Sequence, residues 1–186
     1  MKLSRLLKLS SCALALSLAL PATTAWAQTR GGTLSMIVQP EPPMLIPALN
    51  QQGPTQYITG KIYEGLLTYS FDLKPQSGLA KSWEVSPDGL TYTFHLQQGV
   101  KWHDGKPFTA DDVVFTMTEM LPKTHALARV IFKQYLDRAE KIDEHTVSLH
   151  LKSPFPAFML VFGPGFSPMM PRHLYAGTDY ATNPAN

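Results

Sequence analysis

Hydrophobic and polar residues alternate strictly over Thr91–Leu96: Tyr92, Phe94 and Leu96 fall on one side, Thr91, Thr93 and His95 on the other. A two-residue period is that of a half-buried strand. Residues 82–85, with Trp83 and Val85 on one side, predict a partner strand. Ser86-Pro87-Asp88-Gly89 between them reads as a turn, since Pro87 presets φ and Gly89 accepts positive φ without a Cβ clash. A second hairpin is expected from 136–142 and Thr146–Leu151, where Val147, Leu149 and Leu151 alternate and Asp143-Glu144-His145 forms a polar turn. Two further strands are expected, at 33–38 (Leu34, Met36 and Val38 on one face) and at 97–102, with Gly99 as a bulge.

The period changes after His103-Asp104-Gly105-Lys106, a second turn. Thr109-Ala110-Asp111-Asp112 fits a capping box, in which Asp112 reaches back to the Thr109 amide. Two carboxylates there also favour the positive end of the helix dipole. Val113, Met117 and Met120 line one face of the helix that follows, which Pro122 is expected to end. Ile58, Ile62 and Leu66 recur every fourth residue and predict a helix near 55–63. Pro40-Glu41-Pro42-Pro43-Met44 forces an extended, irregular path. Pro154 and Pro156 open an apolar run at 157–162, closed by Gly163-Pro164-Gly165. With 16 prolines, the chain reads as strand-rich and loop-rich α/β.

The N-terminus sets the compartment. Lys2, Arg5 and Lys8 precede an apolar run at 12–20, and Ala25-Trp26-Ala27 has the small-x-small form of a cleavage site. This is the pattern of a secretory signal peptide over 1–27, with an apolar run too short to span a bilayer. The exported chain, 28–186, is then periplasmic and begins at Gln28. Cys12, the only cysteine, precedes the apolar core, whereas a lipobox cysteine follows it, which argues against a lipoprotein. Removing three of the 16 basic residues against 14 acidic ones leaves a net charge of −1. The apparent basicity belongs to the signal, and nothing in the balance suggests nucleic acid.

Catalytic chemistry is not visible. None of the six histidines forms a HExxH or similar ligand pair. His95 and His150 fall on the polar sides of strands, and His103 and His145 in turns. His125, after the helix, is the one best placed to reach a cleft. A helix cap accounts for Asp111 and Asp112. No G-x-S-x-G is present, and no cofactor is indicated.

A resemblance adds what composition and periodicity do not. Tyr63-Glu64-Gly65-Leu66-Leu67-Thr68-Tyr69, then Leu79-Ala80-Lys81-Ser82-Trp83, the segment 79–117, the hairpin 143–151, and Pro171-Arg172-His173-Leu174-Tyr175 follow one another in an order and spacing similar to those of the extracytoplasmic solute-binding proteins of family 5. These are the dipeptide, oligopeptide and nickel receptors of ABC importers. The resemblance covers 32–175 and implies a type II-like periplasmic binding protein fold. The chain would supply the N-terminal part of lobe I with its extra small α+β subdomain, while lobe II is expected to be absent. It implies a non-enzymatic, periplasmic substrate-binding component for di- or oligopeptides, delivering to a permease and ATPase complex at the inner membrane. The alternatives on the same fold are receptors for a nickel chelate, an opine or an oligosaccharide, or an inactive truncated remnant. A secreted hydrolase would need a nucleophile–base pair. Ligand contacts are expected in the irregular loop 41–52, at Glu41, Pro43, Met44, Gln51 and Gln52, and near His125 and Arg129. In that loop Leu49-Asn50-Gln51 departs from the family's "LDP".

Overall fold

The computed structural model describes residues 31–186, so the expected signal peptide, its cleavage site and Cys12 lie outside the described residues. The chain divides into two units, 1–36 and 37–186. Of the first, only 31–36 are described, and they form neither strand nor helix. The strand expected at 33–38 is therefore not formed: among the described residues no ladder partner faces that alternation, and a strand exists only where its backbone groups are paired.

In the second unit, α1 (Gly53–Thr59) begins with Pro54 in its first turn and ends at Gly60. It is shorter and earlier than the spacing of Ile58, Ile62 and Leu66 predicts. Strands β1 (Leu67–Tyr69) and β2 (Pro75–Ser77) form a short antiparallel ribbon. Strands β3 (Ala80–Val85) and β4 (Thr91–Leu96) form the first predicted hairpin, with Trp83 opposite Phe94 and Val85 opposite Tyr92. Gly89, at φ +70°, makes the turn, and the Ser86 carbonyl accepts its N–H at 2.8 Å.

Residues 97–102 are not a strand. Gly99 turns the backbone to φ +75°, and a single bridge joins Lys101 to Pro107. A β-excursion that loses its ladder after one pair becomes a loop.

The capping box is present at α2 (Ala110–Phe115). Val113, Met117 and Met120 are all fully buried, as their spacing predicts. Pro122 does not end the helix. Residues Thr116–Met120 widen into a π-helical turn in which the Leu121 N–H reaches the Thr116 carbonyl. The Thr118 hydroxyl back-bonds to the Val114 carbonyl at 2.7 Å, a contact that loosens a helical ladder. The wider turn places Pro122 in the first turn of α3 (Leu121–Thr124), where a missing N–H costs nothing. The helix instead stops at His125, whose ψ of 122° is extended.

Helix α4 (Ala128–Tyr135) runs directly into β5 (Leu136–Asp143), which pairs with β6 (Thr146–Leu151). The four-stranded sheet has the order β3-β4-β6-β5, antiparallel throughout. Its inner face carries Tyr92, Phe94 and Leu96 from β4 and Val147, Leu149 and Leu151 from β6, all buried. The 3₁₀ helix Pro156–Phe162 lies across that face. Phe158 meets Tyr92 edge-on at 5.1 Å, and Phe162 meets Phe94 at 4.7 Å. Burying each such side chain contributes roughly 1.5–3 kcal/mol, so this layer carries the hairpins. The last helix, α5, is Arg172–Tyr175.

Gly65 is fixed by close approach. A Cβ there would lie 2.3 Å from the Phe162 carbonyl oxygen and 2.7 Å from the Pro164 nitrogen. The segment after the 3₁₀ helix thus packs directly on the backbone of the chain entering β1.

Candidate functional site

The loop 41–52 and the α3–α4 corner meet. Gln51 joins them, its Oε1 accepting the Ala126 N–H at 3.2 Å while its Nε2 donates to the Pro47 carbonyl at 2.9 Å. Thr55, buried on α1, donates to the Met44 carbonyl at 3.3 Å and to Asn50 Oδ1 at 3.1 Å. Asn50 Oδ1 also accepts the Gln52 N–H at 2.9 Å. Ile46 and Ala48 are buried beneath. The proline-rich path is thus a pinned loop: the prolines remove donors, and side-chain amides supply the bonds that a strand partner would have made.

Of the residues expected at the site, Glu41, Pro43 and Gln52 are exposed, while Met44 and Gln51 are half-buried. Arg129, in the first turn of α4, is exposed, and it takes part in none of the ion pairs of the described residues. The structure brings the two segments together through Gln51 and Ala126. It does not join Glu41 or Pro43 to the His125 segment by any hydrogen bond among the described residues. Ala126 carries no sequence signal, because its role is played by a backbone N–H.

His125 lies apart from the exposed residues of this group. It is 1% exposed, and its Nδ1 accepts the Ala128 N–H at 3.1 Å. Phe166 covers the ring at 5.9 Å between centroids. Burial pushes its pKa down to about 4, with the Gly165 backbone opposing. The ring is neutral at pH 7, closes the turn into α4 through the Ala128 N–H and packs the corner against Phe166. Buried and engaged in this way, it holds the corner in shape beneath the exposed surface.

A second concavity lies elsewhere. A mostly apolar cavity of about 230 Å³ opens between the 100–108 loop and α5, lined by Ile62, Leu79, Trp102, Phe108 and Tyr175 among others. At its rim His173 Nε2 lies 2.6 Å from Asp104 Oδ2. The Lys106 N–H, and then His173, hold Asp104 below the usual carboxylate range. Burial pushes the Tyr175 hydroxyl up to about 12, with Tyr63 adding to the effect. Behind the cavity, Asp112 is 4% exposed and gathers three donors: the Thr109 N–H at 3.0 Å, Trp102 Nε1 at 3.2 Å and the Arg172 N–H at 2.9 Å. Asp104 is thus paired with His173, Asp112 with its three donors, and the Tyr175 hydroxyl with Asn186 Oδ1 at 3.3 Å.

The chain is similar to known proteins in sequence and fold. Over 132 residues the chain is 39% identical to the di/tripeptide-binding protein 1 of Pseudomonas aeruginosa, covering 57% of this chain and 25% of that protein. Over 165 residues it is 33% identical to the dipeptide-binding protein of Escherichia coli, covering 78% of this chain and 31% of that protein. Among solved structures, NikZ from Campylobacter jejuni in complex with Ni(L-His) superposes with a TM-score of 0.65 at 30% identity, over 78% of this chain and 29% of that one. The chain therefore spans about a quarter to a third of the length of these proteins. Residues 74–186 match the family model described as bacterial extracellular solute-binding proteins, family 5, middle. The match takes in β2 to β6, the aromatic layer and the Asp112 hub, and with it the chain belongs to the family 5 bacterial extracellular solute-binding proteins, a family of non-catalytic receptors.

Proposed function

We propose that this chain forms one wall of the periplasmic substrate-binding component of an ABC importer for di- or oligopeptides. On this reading it is the N-terminal part of lobe I of a type II-like binding protein, with β3–β6 as the extra subdomain. The observation that carries it is the pinned loop 41–52 locked to the α3–α4 corner through Gln51. That wall is tied by side-chain hydrogen bonds and presents exposed polar side chains on irregular backbone. Extended peptides are captured largely by main-chain hydrogen bonds, with roomy side-chain pockets tolerating sequence variety. The peptide receptors among its relatives favour this solute class.

A second reading, a receptor for a metal chelate, is supported by the superposition on NikZ with Ni(L-His). His125, buried and bonded at Nδ1, is not a free ligand for such a metal, so a chelate would be held through its organic part.

Isothermal calorimetry on the complete receptor from the same locus, against a dipeptide, a tripeptide and Ni(L-His), separates the readings. Peptide binding that weakens at least tenfold in Gln51→Ala supports the first. Binding of Ni(L-His) alone supports the second, and binding of none of the three removes both.

A further inference from the structure

The tip of the β1–β2 ribbon is held by its own hydrogen bonds. The Ser70 N–H donates to the Lys74 carbonyl at 3.1 Å, the Leu73 N–H to the Ser70 carbonyl at 2.9 Å, and the Lys74 N–H to Ser70 Oγ at 3.2 Å. Asp72 and Lys74 neutralise each other at 2.7 Å. This frame lifts Phe71 entirely into solvent, and Leu73 is 64% exposed. Leu73 has a φ of 59°, and no other non-glycine residue among the described residues has a positive φ. A branched side chain is strained there, and a glycine would be relaxed. The tip thus keeps a leucine where the backbone favours glycine, beside a fully exposed phenyl ring. Because the turn is already ordered, the pair meets a partner without the cost of fixing a loop.

The same chain carries a matching hole. The cavity between the 100–108 loop and α5 has a volume of about 230 Å³, whereas an apolar cavity of about 150 Å³ takes a benzene ring. Its volume is enough for a phenyl ring with room for part of a second side chain. Trp102, Phe108 and Tyr175 supply aromatic walls, which favour edge-to-face contact with an incoming ring. Glu64 and Lys101, which take part in none of the ion pairs of the described residues, also line it, so the solvent-exposed Asp72–Lys74 pair of the tip can exchange its internal contact for one with each of them. A molecule that carries both an apolar knob and a complementary hole is its own partner.

We propose that the Phe71–Leu73 tip of one copy of this chain seats in the Trp102–Tyr175 cavity of a second copy. A contact made by one turn in one cavity is smaller than the ~1,200–2,000 Å² of a stable interface. The association is therefore reversible and concentration-dependent.

Sedimentation equilibrium of the exported chain, 28–186, over roughly 5–500 µM, the range of weak association, tests it. The weight-average mass is expected to rise across that range. Phe71→Asp places a charge in an apolar hole and is expected to weaken association at least tenfold. Ile62→Glu, at a 40%-exposed position on the cavity wall, is expected to do the same from the other side. An equimolar mixture of the two variants retains one intact knob and one intact hole, and is expected to recover heterodimers that neither variant forms alone. Leu174→Asp, 39% exposed on the same wall, replaces Ile62→Glu if the latter fails to show a native near-ultraviolet circular dichroism spectrum. A monomer throughout the range, association unchanged by Phe71→Asp, or a mixture that stays monomeric overturns the proposal.

Discussion

A single carboxylate does more at Asp112 than the capping pattern implies. Its local role, accepting the Thr109 N–H, is written in the spacing of the capping box. Its two other bonds, to Trp102 Nε1 and to the Arg172 N–H, join segments ten and sixty residues away. Asp112→Ala would strand three donors, two of them backbone amides that have lost water. We expect it to destabilise the fold by about 3 kcal/mol or more, against about 1 kcal/mol for Thr109→Ala. Urea melts of the two variants check the order, and equal losses would mean that the distant bonds contribute nothing. Gly89 and Gly65 show the same division. The turn Ser86-Pro87-Asp88-Gly89 makes the positive φ of Gly89 legible from four residues. Nothing near Gly65 in sequence shows that the Phe162 carbonyl will come within 2.3 Å of where a Cβ would be.

At the scale of elements, the two hairpins followed directly from alternation, because period two and polar turns are local signals. Residues 97–102 alternate less and contain Gly99, and they gained no ladder. The helix from Thr109 passed through Pro122 because a π turn shifted the register. That adjustment depends on the Thr118 back-bond and on burying Met117 and Met120, which a proline rule does not contain. The α3–α4 corner rests on His125. Its folded pKa, about 4, lies below its unfolded value near 6.5. The unfolded state therefore binds more protons between those values, and stability falls as pH drops from about 6.5 to about 4. After allowance for screening we expect a contribution of about 2 kcal/mol. His125→Asn keeps an acceptor for the Ala128 N–H and removes the titration. Urea melts at pH 4.5 and 7 are expected to show a smaller pH dependence for the variant than for the parent, and an unchanged difference would count against this origin.

At the scale of the whole molecule, the chain covers about a quarter to a third of its relatives, and on the proposed reading it offers a solute one wall. Small-ligand sites gain strength by enclosing most of the ligand surface. Calorimetry of this chain alone with a dipeptide is therefore expected to give a Kd of about 1 mM or weaker. Submicromolar binding by a monomeric, folded chain would place the site within these residues instead.

The sequence by itself determined the strand alternation, the turns, the helix cap and the order of motifs that marks the family, since each of these is written within a few neighbouring residues. It also directed attention to the loop 41–52 and to His125 and Arg129, because irregular backbone there leaves groups without ladder partners and the resemblance puts that loop near the ligand. Only the tertiary structure decided which of these meet. It buried the His125 ring under the corner, joined the loop to that corner through the amide of Gln51 and the backbone of Ala126, and drew three segments onto Asp112. It also set Phe71 outward on a hydrogen-bonded tip. The reason is physical: a local pattern fixes φ, ψ and the face of a side chain, whereas burial and hydrogen-bond partnership depend on atoms that come near only after the chain has packed.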